Sequence, residues 1–140
     1  MNTIPSILVV DDDETALQCH CKVLATANFA VQVAKCRDEA LEMLAHGAVD
    51  IVLLEYVMSG SDGLAVLCAI KDLCPDTEVV VITRAPSVKH AKEAIRLGAC
   101  DYLAKPVPPD QLIMTMVRAA LQKKWARRRI FARDPVQLTH

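Results

Sequence analysis

The stretch Ile7-Leu8-Val9-Val10-Asp11-Asp12-Asp13 decides the fold class. Four consecutive aliphatic residues are typical of a parallel β-strand that is covered on both faces, because side chains on either side of it then meet an apolar layer. Three carboxylates follow at the point where the strand must end. The stretch therefore predicts a buried strand whose carboxyl end presents acidic groups.

Apolar segments alternate with segments of helical periodicity along the rest of the chain. The predicted strands are residues 6–10, 30–34, 51–54, 79–82 and 102–103. The predicted helices are residues 14–26, 37–46, 63–73, 87–97 and 110 to about 129, the last with Asp110 as its N-cap. Strands that alternate with helices predict a parallel sheet with right-handed crossovers, and hence a three-layer (βα)5 α/β sandwich.

The composition fits one folded domain. The chain has 140 residues, of which 53% are apolar and 24% charged, unlike a disordered segment. No apolar run approaches the roughly 18 residues of a membrane span, and the first residues lack the basic segment of a signal peptide. We therefore expect a cytoplasmic protein with no membrane contact. Fifteen acidic residues against nine basic ones in residues 1–107 indicate that a cation belongs there.

The cysteines raise the alternatives of a disulfide framework or a zinc site. They occupy positions 19, 21, 36, 68, 74 and 100. None are spaced Cys-x-x-Cys, and most lie within apolar stretches. We expect them to be reduced and mostly buried, acting as small apolar side chains.

Polar residues at the ends of the predicted strands form the candidate site. Ligand sites of open α/β sheets lie outside the carboxyl ends of the strands, where the strand order reverses. The residues there are Asp11, Asp12, Glu55, Thr83 and Lys105. Each alone is compatible with an ordinary structural role, such as capping a helix. Together, carboxylates that a hard cation such as Mg²⁺ would neutralise, a hydroxyl and a lysine predict a phosphoryl site.

Four motifs together resemble the receiver domain of bacterial two-component response regulators. They are residues 7–13, 50–58 (DIVLLEYVM) with Asp62-Gly63, 80–83 (VVIT) and 98–106 (GACDYLAKP). The resemblance covers about residues 4–125 as a receiver domain, and leaves residues 126–140 as a basic helix end and a tail or the start of a linker. It implies a flavodoxin-like doubly wound sheet with strand order 2-1-3-4-5.

The resemblance also implies site roles by position. It makes Asp11, Asp12, Glu55 and the backbone carbonyl of Val57 the Mg²⁺ site, with Asp12 as the direct ligand and Asp11 acting largely through water. A magnesium ion prefers such oxygen ligands.

Further roles concern the response to phosphorylation. By resemblance, Thr83 is the switch hydroxyl and Lys105 the contact to the phosphoryl group. Tyr102 is the aromatic residue whose rotamer reports activation, and Pro106 is the candidate for a cis peptide bond.

Glu55 stands where the family carries the aspartate that accepts the phosphoryl group. Its additional methylene moves the carboxylate by roughly 1 Å, a displacement that can cost about 10²-fold in a positioned reaction. We therefore expect little phosphotransfer to Glu55. In an alternative interpretation, the longer side chain reaches toward Lys105 and Thr83, mimics a phosphoryl group in part and holds an active-like state.

Two further residues depart from the family pattern. Ser59 replaces the proline that is usual after the methionine of this loop, which predicts a looser loop. Arg84 follows Thr83 where small residues are usual, and it either pairs with Glu55, covers the site or projects into solvent.

The implied partners are a sensor histidine kinase or phosphotransfer protein, and an output domain or partner protein on the face of the fourth helix, fifth strand and fifth helix. A homodimer is left open. The basic run of residues 123–129 (KKWARRR) is expected to complement a solvated helix end rather than to bind nucleic acid directly. We expect a signalling domain, not an enzyme.

Two rival functions remain. The stretch Asp11-Asp12-Asp13-Glu14-Thr15 fits the Asp-x-Asp-x-Thr motif of haloacid dehalogenase-type phosphatases, which would use Asp11 and Asp13. The sequence offers that class neither a late strand ending in an acidic pair nor a cap segment. The other rival is an interaction module of the same fold that binds neither metal nor phosphate.

Overall fold

The computed structural model describes the backbone of residues 4–138 and the side chains of residues 4–124. The strands are β1 (Ser6–Val10), β2 (Ala30–Ala34), β3 (Ile51–Glu55), β4 (Val57–Met58), β5 (Ser61–Asp62), β6 (Glu78–Thr83) and β7 (Asp101–Ala104). The helices are α1 (Glu14–Thr26), α2 (Arg37–His46), α3 (Gly63–Leu73), α4 (Val88–Arg96) and α5 (Pro109–Leu138). In this part of the chain, no helix is both long and apolar enough to cross a bilayer.

Five of the strands form one parallel sheet in the order β2-β1-β3-β6-β7. The short strands β4 and β5 lie outside it and pair with each other as an antiparallel hairpin. Without that hairpin, the order is the predicted 2-1-3-4-5, and the flavodoxin-like α/β fold is confirmed. The strand order reverses beside β1 and β3, so the carboxyl ends of these neighbours meet at one edge.

Helices cover the sheet on both faces, which explains the continuous apolar strands. Leu8 and Val10 of β1 face the core under α2, α3 and α4. Ile7 and Val9 face the core under α1 and α5. All five residues of β3 are buried, including Glu55 at its end.

The ends of α5 differ from the prediction. The helix begins at Pro109 and places Asp110 in its first turn, so the predicted N-cap role of Asp110 is wrong. Proline is favoured at a first helical position because no amide donor is needed there. At the other end, the backbone is helical to Leu138 rather than to about residue 129.

The first lysine of the basic run is not solvated as expected. Lys123 is 12% exposed and lies 2.9 Å from Asp50 Oδ1, which ties α5 to the residue before β3. The side chains of the run after Lys124 lie outside the described residues.

The cysteines are free but less buried than predicted. Cys19 and Cys36 are exposed, and the other four are partly buried. The prediction of mostly buried cysteines is therefore wrong. In α1 the buried positions belong to Leu17, His20 and Leu24, which leaves Cys19 on the solvent side.

We predict that Gly63→Ala destabilises the fold. A Cβ at Gly63 would lie 2.5 Å from the carbonyl oxygen of Tyr56 and 2.6 Å from its Cδ1. Because a backbone atom cannot swing aside, we expect a loss of roughly 1–3 kcal/mol in urea-induced unfolding. Gly47→Ala is the control, since its Cβ would lie 3.4 Å from the carbonyl of Met43. Equal unfolding midpoints for the two variants would contradict this explanation.

We also predict that Cys100 resists alkylation. Burial raises the pKa of the Cys100 thiol to about 12, and the negative charge of Glu78 adds to the shift. Only the thiolate reacts, and at pH 8 that pKa leaves about one thiol in 10⁴ ionised. Iodoacetamide followed by peptide mass mapping should therefore label Cys19 and Cys36 before Cys100 in the folded protein, and all six cysteines in urea. Early labelling of Cys100 in the folded protein would refute the prediction.

Candidate functional site

Lys105 joins two buried carboxylates at the carboxyl ends of neighbouring strands. Its Nζ lies 3.0 Å from Asp11 Oδ2 and 2.5 Å from Glu55 Oε1. The side chains of Asp11 and Glu55 are only 3% and 2% exposed. Two buried charges of the same sign repel each other and lose hydration, so the ammonium group is what makes the arrangement tolerable.

The sheet brings these three residues together from distant parts of the chain. Asp11 follows β1, and its amide continues the sheet by donating to the carbonyl of Ala34. Glu55 is the last residue of β3, which lies between β1 and β6. Lys105 follows β7, its amide donates to the carbonyl of Thr83, and its peptide bond to Pro106 is cis.

Lys105 is a stable cation in this setting. Desolvation lowers the pKa of its ammonium group, but hydrogen bonds to Glu55 and Asp11 outweigh that effect and leave the pKa raised. The lysine therefore keeps its charge at neutral pH.

Both oxygens of the Glu55 carboxylate are engaged. Oε1 meets Lys105, and Oε2 accepts a 2.9 Å hydrogen bond from the amide of Val57 in the following loop. Among the described side chains, Glu55 has no hydrogen bond or ion pair with Thr83 or Arg84. The Glu55 carboxylate thus bridges Lys105 and the loop that follows β3.

Ser59 forms a hydrogen bond with Asp12, the third acidic residue of the site. Its backbone amide donates a 2.8 Å hydrogen bond to Asp12 Oδ2. This bond is the main cause that lowers the pKa of Asp12; desolvation opposes it, and the Ser59 hydroxyl and, more weakly, the charge of Arg84 add to it. Arg84 itself is exposed. The expected loosening by Ser59 is therefore not what its contacts indicate, because the serine ties two loops together.

The residues fit a cation only in part. Asp11 and Asp12 supply adjacent carboxylates, and Mg²⁺ usually takes one or two of these together with water. Both oxygens of Glu55 are in use, and so are both oxygens of Asp11, because its Oδ2 meets Lys105 and its Oδ1 accepts a 3.0 Å hydrogen bond from the amide of Asp13. Across the described residues, no three His, Cys, Asp or Glu side chains form a metal-binding group. Asp11 and Asp12, which are adjacent in the chain, would hold the ion, and the ligand roles of Glu55 and of the Val57 carbonyl stay predictions.

The two predicted switch residues flank the loop that leads into α4. Thr83 is fully buried, and its Oγ1 accepts a 3.0 Å hydrogen bond from the amide of Ala85. The Tyr102 hydroxyl accepts a 3.3 Å hydrogen bond from the amide of Ser87, the N-cap residue of α4. The start of α4 is thus attached to β7 through Tyr102.

Three residues near the site were not predicted. The ring of Tyr56, directly after Glu55, packs on the ring of His90 in α4, with 4.7 Å between centroids. His20 of α1 is buried, and its pKa is lowered by desolvation and by the nearby charge of Lys105. Its spacing from Leu17 and Leu24 was a usable signal of burial. The sequence carries no comparable signal for the contact between Tyr56 and His90.

The sequence of the chain is similar to those of known proteins. Residues 7–117 match the family model of the response regulator receiver domain. The chain is 38% identical over 117 residues to the transcriptional regulatory protein ZraR of Escherichia coli K12, an alignment that covers 81% of this chain and 26% of ZraR. It is 33% identical over 132 residues to a putative NtrX-like response regulator of Rickettsia bellii, covering 93% and 28%. The chain thus spans about a quarter of the length of these curated relatives.

Solved structures show the same similarity in three dimensions. NtrX from Brucella abortus superposes with a TM-score of 0.85 at 33% identity, covering 90% of this chain and 29% of that one. A receiver domain protein from Clostridium thermocellum gives a TM-score of 0.83 at 29% identity, covering 88% and 99%. The second comparison shows that one such domain accounts for most of this chain.

We predict that Lys105→Met is strongly destabilising. It leaves Asp11 and Glu55 buried without a countercharge, which should cost about 3 kcal/mol in urea-induced unfolding with EDTA present. Lys35→Met is the matched control, because it breaks an exposed pair with Glu14 and should change stability little. Adding Glu55→Gln to Lys105→Met should recover part of the loss. Equal stability of the two lysine variants would show that the buried charges do not depend on Lys105.

Proposed function

The chain belongs to the response regulator receiver domain family, and we propose that it is a receiver in which Glu55 accepts little or no phosphoryl group. The single observation that carries this proposal is the engagement of both Glu55 oxygens, by Lys105 and by the amide of Val57, in a side chain that is 2% exposed. In this proposal the domain signals through protein contacts.

The chemistry of phosphotransfer explains why that engagement matters. A carboxylate nucleophile needs an oxygen lone pair aimed at phosphorus, with the reacting atoms about 3–3.5 Å apart. To attack, Glu55 would have to leave Lys105 or Val57 and expose a charge that is now paired. An aspartate, one methylene shorter, would leave more room between itself and Lys105 for an incoming phosphoryl group.

The same contacts support a partial active-like state. Glu55 gives Lys105 the anionic partner that a phosphoryl group would otherwise provide. It does not reach Thr83, whose hydroxyl instead accepts from the amide of Ala85. We infer that Glu55 makes the contact with Lys105 that a phosphoryl group would make, and that it does not make the contact with Thr83. A carboxylate also carries one charge and two oxygens, less than a phosphoryl group.

We place the partner surface on α4, β7 and α5. Large apolar side chains there are exposed to solvent, although such residues are usually buried. They are Val88 at 73%, Ile95 at 49%, Val117 at 37% and Leu121 at 49%. The proposed partners are a sensor histidine kinase or phosphotransfer protein, and an output domain or separate protein on this face. The proposed setting is the cytoplasm, with Mg²⁺ held by Asp11 and Asp12.

We do not propose the phosphatase activity, because no specific observation favours it. Asp13, the second aspartate of that motif, serves as the N-cap of α1, and its Oδ1 accepts the amide of Thr15. Asp11 is paired with Lys105.

Phosphorylation of the chain beside its Glu55→Asp variant tests the proposal. With acetyl phosphate and Mg²⁺, intact mass spectrometry should detect an acid-labile phosphoryl group on the variant, at a rate about 10²-fold or more above that of the unmodified chain. Glu55→Gln serves as the unreactive control. Stoichiometric labelling of Glu55 in the unmodified chain would refute the proposal, and failure of Glu55→Asp to react would place the cause elsewhere.

A further inference from the structure

We propose that the backbone amide of Ser59 acts as a latch that competes with a divalent cation for the carboxylate of Asp12. The observation behind it is the 2.8 Å hydrogen bond from Ser59 N to Asp12 Oδ2. The bond joins the loop after β3 to the loop after β1, across 47 positions of the sequence. The inference rests on the part of the proposed function that assigns the cation to Asp11 and Asp12.

The hairpin geometry explains why this amide is available. Met58 pairs with Ser61, so Ser59 and Gly60 are the two central residues of the turn between β4 and β5. Gly60 has a φ of 71°, the left-handed conformation expected at the third position of a type II turn. The amide of Ser59, the residue before it, donates across the site to Asp12.

Alternate amides of this loop each bind one carboxylate of the site. Val57 N donates to Glu55 Oε2, and Ser59 N donates to Asp12 Oδ2. Amide groups carry partial positive charge, and several of them together can stabilise anionic groups. With Lys105 on Asp11 and Glu55, the protein's own donors therefore reach all three carboxylates of the site, as a cation would.

Ser59 is the position at which this latch can be removed cleanly. Proline has no amide hydrogen, so Ser59→Pro deletes the donor. Proline is also favoured at the second position of a type II turn, which this residue occupies, so the turn itself should persist. Ser59→Ala is the matched control, since it removes the hydroxyl, which also acts on Asp12, and keeps the amide, so that the comparison of Ser59→Pro with Ser59→Ala isolates the amide.

The latch makes a specific prediction for cation binding. Mg²⁺ titrated into each protein by isothermal calorimetry should bind Ser59→Pro about threefold to tenfold more tightly than Ser59→Ala or the unmodified chain, the range expected for one net hydrogen bond. Binding detected in Ser59→Pro alone would also support the latch. Equal affinities of the two variants, weaker binding by Ser59→Pro, or no detectable binding by either would overturn it.

A second measurement uses the unmodified chain and does not depend on how a variant folds. Amide hydrogen exchange followed by NMR should show protection of the Ser59 amide without divalent cation, and loss of that protection as Mg²⁺ is added. The amide of Leu64 is the reference, because it donates to Asp62 Oδ1 just after the same hairpin and outside the site. A Ser59 amide that exchanges as fast as a free one, or that stays protected at high Mg²⁺, would overturn the latch.

These outcomes are separable from those of the phosphorylation experiment. Labelling of Glu55 would refute the proposed function without changing the affinities of the Ser59 variants. Equal affinities of the Ser59 variants would overturn the latch while leaving the reactivity of Glu55→Asp as evidence on phosphotransfer.

Discussion

Two carboxylates buried at the ends of adjacent parallel strands need a countercharge, and the site is organised around that need. Asp11 and Glu55 lie side by side because β1 and β3 are neighbours in the sheet. Lys105 comes from β7, beyond β6, and reaches both. Without this ammonium, repulsion and lost hydration would oppose the strand pairing itself. The order of the sheet therefore supplies the partner that its own acidic edge requires.

Glu55 supplies a negative charge at the end of β3 and divides its two oxygens between two donors. Lys105 pairs with Asp11 and Glu55, while Asp12 accepts from the amide of Ser59 and lies near the positive charge of Arg84. The Glu55 side chain contacts Lys105 and the amide of Val57 together. When the carboxylates of a site already accept hydrogen bonds from the protein, an incoming phosphoryl group or cation must break those bonds first. The net free energy of its binding is then smaller.

Residue types and spacing predicted the sheet well, because continuous apolar strands and helical periodicity both reflect which side chains must be buried. The helices at residues 14–26, 37–46 and 63–73 have the predicted bounds. The residues of the candidate site lie at the carboxyl ends of the strands that the sequence predicted. The backbone contacts could not be predicted in this way. Two-residue strands such as β4 carry no periodicity, and the direction of the Ser59 amide is not encoded by residue type. Residue type alone therefore predicted that Ser59 loosens the loop, whereas its backbone amide joins two loops.

Two tyrosines close to the site contact the first turns of α4. Tyr56 follows Glu55 directly and packs on His90, while the hydroxyl of Tyr102 accepts a hydrogen bond from the amide of Ser87. The first turns of α4 are therefore attached on one side to the loop of Glu55 and on the other to β7. A partner that displaces α4 must disturb at least one of these contacts. Because coupling between two binding events is reciprocal, a ligand of the Glu55 loop that changes the affinity of such a partner has its own affinity changed by the partner by the same factor.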